Sequence, residues 1–375
     1  NWTHIFSDRL FSNLTLTGSR YFSRPRFGIA GTPFERNNTI SDFSAKGDIE
    51  LALTDNHDVE TGFWSGYFSL LLTDSFDGEE TVNADIPSTY AYFYLQDTYE
   101  PTPQWTITGG LRANYFDRGE YLRVAPRLSV EYQPVESVRL QSGFGRYHQF
   151  LTLISSEVFS GFDTWLTTGK GVPPAYGDQA ALGVKLSLPQ NINVDVEGYA
   201  RTMKELFELD PRIADVAGLD YDELFHFGKG YAYGAEFLLE RRRGDLNGHL
   251  AYTYGSTRRQ YPDLNNGAYY PPKYDRTHDF KALVNYEISD HWRLSTVFSY
   301  STGQAYTRPT GRYRMNQDPF QSEPRPVFVT SFNNRRLPPY HRLDVGISRS
   351  GRFFGVADYR LQLQVINAYG QRNTW

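Results

Sequence analysis

The chain has 375 residues, a formal net charge of -5 and an aromatic content of 16%, with 28 Tyr and 26 Phe. Its Lys and Arg residues are scattered, which argues against nucleic-acid binding, and the absence of Cys excludes disulfides, thiolate metal sites and a cysteine nucleophile. No stretch approaches the roughly 18 apolar residues of a membrane-spanning helix. A chain that is hydrophilic on average, with a mean hydropathy of -0.55, but rich in aromatic residues is typical of a large antiparallel barrel with aromatic girdles.

Alternation of apolar and polar residues predicts about fifteen β-strands, most of them near the roughly ten residues that a tilted membrane strand needs. In the stretch INVDVEGYAR, 192–201, Val194 and Val196 share one face of a strand and Asp195 lies on the other. The predicted strands are, in chain order, 10–24, 38–54, 58–72, 88–100, 105–116, 124–133, 137–148, 176–188, 192–206, 230–240, 246–256, 276–288, 291–301, 339–350 and 357–368.

The connections between these strands alternate in length. Tight links such as TDNHD, EPTPQ and ISDH alternate with mostly long segments, such as TDSFDGEETVNADIPS and the stretch 149–175. Short turns on one side and long loops on the other are typical of outer-membrane barrels, whose turns are periplasmic and whose loops are extracellular. The alternative is a soluble two-layer sandwich with its polar faces outward, but a sandwich has no reason to sort its loops by length.

The sequence therefore predicts an all-β fold, an antiparallel up-and-down transmembrane β-barrel. In hydrocarbon every backbone polar group needs an internal partner, so the sheet has to close. The apolar face then meets lipid and the charged face lines a hydrated lumen, because a charge on the lipid face costs roughly 2–4 kcal/mol near the midplane. The charged residues predicted to face the lumen are Lys46, Asp48, Glu50, Arg112, Arg127, Asp195 and Glu197.

Several stretches, in order, resemble the barrel of a TonB-dependent outer-membrane receptor. They include YAYFYLQDTYEPTPQWTITGGLRANYF (90–116), LRVAPRLSVEYQPVESVRLQSGFGRYHQF (122–150), YDRTHDFKALVNYEI (274–288), RRLPPYHRLDVGIS (335–348) and LQLQVINAYGQRN (361–373). The resemblance implies a barrel of about 22 strands, plugged by a globular domain that the inward charges would support. Residues 1–375 would then be part of one barrel domain, with the N-terminal plug outside the chain. Since the first and last predicted strands both run outward, at least one closing strand is expected after Trp375.

The resemblance implies a receptor-transporter of the Gram-negative outer membrane, not an enzyme, that imports a bulky, scarce nutrient such as a ferric siderophore, cobalamin, a saccharide or a peptide. The implied partners are outer-membrane lipid and lipopolysaccharide, the protein's own plug domain, TonB with the ExbB-ExbD motor, and a small or oligomeric nutrient ligand. Neither nucleic acid nor a cofactor is expected. The alternatives are a passive porin without a motor partner and, less favoured, an outer-membrane hydrolase, for which no nucleophile elbow is visible.

Candidate ligand contacts are aromatic and basic residues near the bases of the long loops. Each tyrosine among them has the alternative role of an aromatic girdle at the membrane boundary. The candidates are Phe159, Phe162, Trp165, Arg258, Arg259, Tyr261, Tyr269, Tyr270 and Tyr274. No catalytic site is predicted. No metal site is predicted either, because His148, His278 and His341 lie in no metal-ligand motif. The segment DSFDGEE, 74–80, is expected to be an acidic mobile loop.

Overall fold

The computed structural model describes residues 1–29, 32–154, 163–210, 221–315, 325–329 and 331–374. The chain divides into two compact units: unit 1 contains 1–131, 143–180 and 202–229, and unit 2 contains 132–142, 181–201 and 230–375. The described residues hold three short 3-10 helices, and none of these is long and apolar enough to pass through a membrane.

Strands make up most of both units, as the period-2 alternation of the sequence predicts. In chain order the strands of the described residues are β1 (Trp2–Ser7), β2 (Leu10–Ser23), β3 (Arg26–Ile29), β4 (Thr32–Thr54), β5 (His57–Phe76), β6 (Glu79–Thr102), β7 (Trp105–Phe116), β8 (Tyr121–Val135), β9 (Val138–Gln149), β10 (Leu151–Ile154), β11 (Thr164–Thr167), β12 (Ala175–Leu188), β13 (Ile192–Leu209), β14 (Phe225–Arg241), β15 (Leu246–Gln260), β16 (His278–Ser289), β17 (Trp292–Ser301), β18 (Ala305–Tyr306), β19 (Gly311–Met315), β20 (Arg325–Val329), β21 (Arg335–Arg336), β22 (Tyr340–Phe353) and β23 (Ala357–Val365).

The long strands of unit 1 pair antiparallel in an up-and-down order. β2 pairs with β4, β4 with β5, β5 with β6, and β6 with β7. β1, which the alternation did not predict, pairs with β2. It adds a strand before the first predicted one, and the expected closing strand outside the chain stays a prediction.

Each predicted strand corresponds to an observed one, but several observed strands are much longer. β4, β5 and β6 contain 23, 20 and 24 residues, because their cross-strand pairing continues past the apolar alternation. The expected acidic mobile loop at 74–80 is therefore wrong, since β5 runs to Phe76 and β6 begins at Glu79. Asp77 and Gly78 form the turn, with φ of 54° and 81°, which is the Asp-Gly geometry that joins two twisted strands tightly.

The strands of unit 1 have one apolar and one polar face. Phe43 on β4, Phe93 on β6 and Leu111 on β7 are 66%, 57% and 59% exposed. Asp48 and Arg112 lie on the other face of the same sheet, where Asp48 is buried and Arg112 is half-buried. A soluble sandwich would bury the apolar face, whereas a membrane barrel turns it toward lipid. The exposed apolar face therefore supports the predicted barrel.

The hydrophobic core of unit 1 lies where β5, β6 and β7 pack against the hairpin of β10 and β11. Leu70 on β5 and Leu166 on β11 are fully buried, and β10 pairs antiparallel with β11 through Leu153 and Trp165. The buried residues of this core are Phe68, Leu70, Leu72, Ile86, Tyr90, Phe116, Phe150, Leu166, Val172, Phe207 and Phe225. The core holds the hairpin against the extended strands.

Unit 2 repeats the antiparallel order. β15 pairs with β16, β16 with β17, β17 with β22, and β22 with β23. Two short antiparallel strand pairs, β18 with β21 and β19 with β20, lie in the long connection between β17 and β22. Long connections thus contain local strand pairs, which satisfy backbone groups that an irregular loop would leave to water.

Candidate functional site

The inward side of β4–β8 in unit 1 carries a polar and aromatic patch, which we call the inner wall. It lines an open cavity of about 260 Å³. Cross-strand register creates it, since Gly62 on β5 lies opposite Tyr94 on β6, and Tyr94 lies opposite Arg112 on β7. The polar side chains that line the cavity are Lys46, Glu60, Tyr94, Gln96, Arg112 and Arg127.

Tyrosine side chains organise the inner wall. The Tyr94 hydroxyl donates a hydrogen bond to Glu60 Oε1 at 2.8 Å. The Arg112 guanidinium carbon lies 4.5 Å from the centroid of the Tyr92 ring, within the range of a cation–π interaction. Trp64 packs edge-on against the same Tyr92 ring, with their centroids 5.5 Å apart. The wall therefore offers flat aromatic surfaces beside fixed charges.

The charges of the inner wall are only partly neutralised. Lys46 Nζ lies 3.0 Å from Asp48 Oδ1, and the Arg127 guanidinium lies over the ring of Tyr147 at 5.2 Å. Within the part of the chain that the structure describes, Arg112 and Arg127 form no ion pair with a carboxylate. Two guanidinium groups facing one cavity can bind an anionic ligand or a carboxylate from another domain.

Sequence reasoning placed Lys46, Arg112 and Arg127 on the lumen side, but it missed the aromatic half of this wall. It did not single out Glu60, Trp64, Tyr90, Tyr92 or Tyr94. The glycines of β5 could have indicated this aromatic half. Gly62 and Gly66 share a strand face with Glu60, and such small residues leave room for tyrosine rings from the next strand.

The remaining inward charges lie on the expected strand face but make weaker contacts. Glu50 is exposed on β4. On β13 of unit 2, Asp195 Oδ2 lies 3.5 Å from Lys185 Nζ, and Glu197 is exposed. Their contact with a plug domain stays a prediction.

Trp165 is fixed on β11 by Asn38, a residue of β4. The backbone N–H of Trp165 donates to Asn38 Oδ1 at 2.9 Å, and Asn38 Nδ2 donates to the Trp165 carbonyl at 3.2 Å. Arg36 is bidentate to Asp74 at 2.7 and 2.6 Å and also donates to Thr164 Oγ1 at 3.0 Å. Trp165 is half-buried. The other two aromatic candidates of this loop, Phe159 and Phe162, lie outside the described residues.

A tyrosine from a neighbouring loop closes the other end of the same hairpin. The Tyr221 hydroxyl donates to the Thr167 carbonyl at 2.9 Å and accepts from the Thr167 N–H at 3.1 Å. Burial raises the pKa of Tyr221, which keeps the hydroxyl protonated and able to donate. The hairpin is therefore held at both ends by side chains that satisfy its backbone.

The unit 2 candidates come together at the end of β15 and in the loop after it. Tyr261 and Tyr270 are buried, with 0% and 7% exposure, whereas Tyr269 and Tyr274 are 45% and 54% exposed. Arg259 donates to the Tyr274 hydroxyl at 2.9 Å. The exposed pair is open to a ligand, while the buried pair packs inside the loop.

Arg258 belongs to an ion-pair cluster around a buried carboxylate in the same loop. Asp275 accepts a hydrogen bond from the Thr257 N–H at 2.9 Å and lies 3.6 Å from Arg258 Nη1. Arg336 also donates to its carboxylate. Two guanidinium groups around one buried carboxylate hold three parts of the chain together.

Two of the three histidines considered in the sequence, His278 and His341, lie beside tyrosine hydroxyls. His278 Nδ1 lies 2.8 Å from the Tyr252 hydroxyl, and His341 Nδ1 lies 2.8 Å from the Tyr369 hydroxyl. No group of three or more His, Asp or Glu side chains able to hold a metal ion is found within the described ranges.

Comparisons with known proteins point in one direction. A family model described as TonB dependent receptor-like, beta-barrel, matches residues 1–368. No curated protein sequence matches the chain. Similar solved structures include the ferric citrate transporter FecA in its unliganded form, with 11% identity, a TM-score of 0.65, and coverage of 98% of this chain and 56% of that one.

Two further solved structures show the same relation. The ferric-catecholate import receptor Fiu from Escherichia coli K12 has 12% identity and a TM-score of 0.61, covering 98% of this chain and 59% of that one. BauA, the ferric preacinetobactin receptor from Acinetobacter baumannii, has 13% identity and a TM-score of 0.63, covering 98% and 57%. At these identities the likeness shows the fold. The chain spans between about half and two-thirds of the length of such structures, from 52% to 64%.

Proposed function

The chain belongs to the TonB dependent receptor-like β-barrel family of the outer membrane, and we propose that it forms part of a receptor for the energised uptake of a bulky, scarce nutrient. The force would come from TonB and the ExbB-ExbD motor. The nutrient would be a ferric siderophore, cobalamin, a saccharide or a peptide. The surrounding partner would be outer-membrane lipid and lipopolysaccharide.

The inner wall is the observation that carries this proposal. Its side chains combine stacked aromatic rings with two guanidinium groups that pair with no carboxylate among the described residues, on the face opposite the exposed apolar residues. A passive channel for small solutes needs a hydrated lumen, but it needs no such built surface. A large, partly aromatic or anionic ligand has a use for both kinds of group.

The similar structures support a proposal for the chemical class of the ligand. FecA, Fiu and BauA are named for ferric citrate, ferric catecholate and ferric preacinetobactin. An iron complex with an organic chelator is therefore the first candidate, and such complexes carry anionic groups that Arg112 and Arg127 could bind.

We extend the proposal to the rest of the protein. Residues 1–375 would be a part of one barrel domain, completed by strands outside this chain and plugged by an N-terminal domain. The inward charges, including Lys46, Asp48 and Glu50, would then contact the plug, and the exposed Tyr269 and Tyr274 would be the first loop contacts of the ligand.

A growth experiment tests the proposal. A strain carrying the full-length gene would be grown under iron starvation with a panel of ferric chelates as the iron source, with and without a functional TonB. Uptake that requires both the gene and TonB supports the proposal. Uptake that depends on the gene but continues without TonB would indicate the passive porin instead.

The inner wall provides the matching variants. Substituting Arg112→Gln together with Arg127→Gln should lower the affinity for an anionic chelate, because each charge-assisted hydrogen bond contributes about 1.5–3 kcal/mol. Arg352→Gln is the matched control, because this arginine pairs with Asp358 in an exposed turn. Equal uptake by the double variant and the control would contradict a binding role for the inner wall.

A further inference from the structure

Three basic side chains gather around one tyrosine ring on unit 1. The Arg146 guanidinium carbon lies 5.5 Å and Lys204 Nζ lies 5.7 Å from the centroid of the Tyr176 ring. The His148 ring stacks on Tyr176, with centroids 5.9 Å apart. Asp178 is bidentate to Arg146, at 2.7 and 2.9 Å. We call these five residues the outer basic cluster.

Strand parity places the outer basic cluster on the lipid-facing side. On β9, Arg146 and His148 share a face with Phe144, whose side chain is 47% exposed. The intervening Tyr147 contacts Arg127 of the inner wall, so it lies on the opposite side. Since neighbouring residues of a strand point to opposite faces, the cluster faces outward.

The height of the cluster follows from the sequence of β12. Outward positions 180, 182, 184, 186 and 188 are Ala, Leu, Val, Leu and Leu, and the next two outward positions are Asp178 and Tyr176. Eight residue steps span about 26 Å along a strand, or about 20 Å along the membrane normal at a tilt of about 40°. This is close to the roughly 25 Å apolar band of such barrels. The cluster therefore lies at the edge of the band.

The leaflet follows from the connections of these strands. The cluster is at the end of β9 and the start of β12, beside the long connection between them, whereas Pro189–Asn191 makes the tight turn at the far end of β12. Long loops of outer-membrane barrels are extracellular. The cluster thus meets the outer leaflet.

The charge of the cluster is incompletely balanced. Asp178 is bidentate to Arg146 and also attracts Lys204, so two cations share this one carboxylate. Holding two cations against one carboxylate at the edge of a low-dielectric layer costs free energy unless a further anion is close. The anion that a membrane presents at this depth is a headgroup phosphate.

We propose that the outer basic cluster binds the phosphate group of a phosphorylated lipid headgroup in the outer leaflet. Lys204 would provide a point charge, the remaining N–H groups of Arg146 would donate hydrogen bonds, and Tyr176 would lie at the headgroup level as an interfacial aromatic residue. Thr202, whose Oγ1 accepts from the Asp178 N–H at 3.2 Å, is exposed beside them. The inference depends on the barrel orientation and not on the identity of the transported nutrient.

Native mass spectrometry of the full-length protein in detergent tests this site. Diphosphoryl lipid A would be titrated against the wild type and against Lys204→Gln, a substitution that leaves the Arg146–Asp178 pair intact. One cation near an anionic membrane surface contributes about 1 kcal/mol, so the variant should bind lipid A about fivefold more weakly. A wild-type affinity for the variant would overturn the proposal.

Two controls separate this site from other causes. Lys185→Gln removes a lysine from the inward face of β12, where it pairs with Asp195, and should leave lipid A binding unchanged. Lipid A stripped of both phosphates should bind wild type and Lys204→Gln equally. If millimolar inorganic phosphate displaced all of the bound lipid A, this would instead indicate a free-anion site and would contradict a headgroup site. None of these experiments measures TonB-dependent uptake, so their result is independent of the proposed transport.

Discussion

Replacing Gly66 with alanine tests the packing that shapes the inner wall. An ideal Cβ at Gly66 would lie 2.5 Å from the Tyr90 hydroxyl oxygen, 2.6 Å from Tyr90 Cζ and 2.8 Å from Ser44 Cβ. These distances are shorter than van der Waals contact, so the Tyr90 ring has to move. Tyr90 is buried in the core of unit 1, and its hydroxyl donates to Asp42 Oδ2 at 2.8 Å.

The magnitude follows from the two losses that this movement causes. Overpacking in a well-packed region costs about 1–3 kcal/mol, and a hydrogen bond to a charged group contributes about 1.5–3 kcal/mol. Because the ring can shift partway and keep some of this bond, we expect Gly66→Ala to lower the free energy of unfolding by about 2–4 kcal/mol.

The assay is denaturant unfolding of the full-length protein in detergent micelles, followed by tryptophan fluorescence. Trp64 is a suitable reporter, because its ring lies edge-on to Tyr90 with centroids 5.7 Å apart. Gly109→Ala on β7 is the matched control, since a Cβ there would meet nothing within 4 Å, and it should change stability by no more than about 0.5 kcal/mol.

A double-mutant cycle decides whether Tyr90 causes the effect. If the clash is with Tyr90, Gly66→Ala combined with Tyr90→Ala should cost less than the sum of the two single variants, by roughly 1–3 kcal/mol. Additive losses, or a Gly66→Ala variant as stable as the wild type, would refute the reasoning.

Three further substitutions test the core, the hairpin and the loop cluster. Leu70→Ala should lower the free energy of unfolding by about 2–5 kcal/mol in the same denaturant assay, because Leu70 is fully buried; a loss below 1 kcal/mol would contradict its place in the core. Asn38→Ala removes both hydrogen bonds to the Trp165 backbone and should speed amide hydrogen exchange at Trp165, at a cost of about 1–3 kcal/mol, whereas unchanged exchange would show that the hairpin is held by packing alone. Asp275→Asn leaves Arg336 without its carboxylate and should make the loop 261–277 more sensitive to limited proteolysis. Asp290→Asn, at an exposed position in the tight turn after β16, is the control, and an equal cleavage rate in both variants would count against the cluster.

Much of the architecture was accessible to sequence reasoning. Alternation of apolar and polar residues predicted every long strand and placed Leu111 on the outward face. This works because side chains alternate with a period of two in any strand, whatever its partner. The asymmetry of loop lengths gave the up-and-down order, because only antiparallel neighbours can be joined by tight turns.

Strand ends were harder to predict, because pairing can continue where apolar alternation has stopped. The Asp77–Gly78 hairpin shows this: its acidic flanks suggest a loop, yet the pairing of β5 with β6 continues to Phe76 and Glu79, on either side of the turn. β1 was missed for a related reason, since six residues are too short a window for alternation to be distinct.

By itself the sequence determined that this protein is a β-barrel with an apolar exterior and a charged interior, because those properties depend on the order of residues within single strands. Only the tertiary structure decided which residues meet across strands. Cross-strand register brought Tyr92 to Arg112 and Tyr176 to Lys204, and the folding of a long connection brought Trp165 to Asn38. Partners separated by tens of residues leave no local pattern, since nothing in either strand alone specifies its offset from the next.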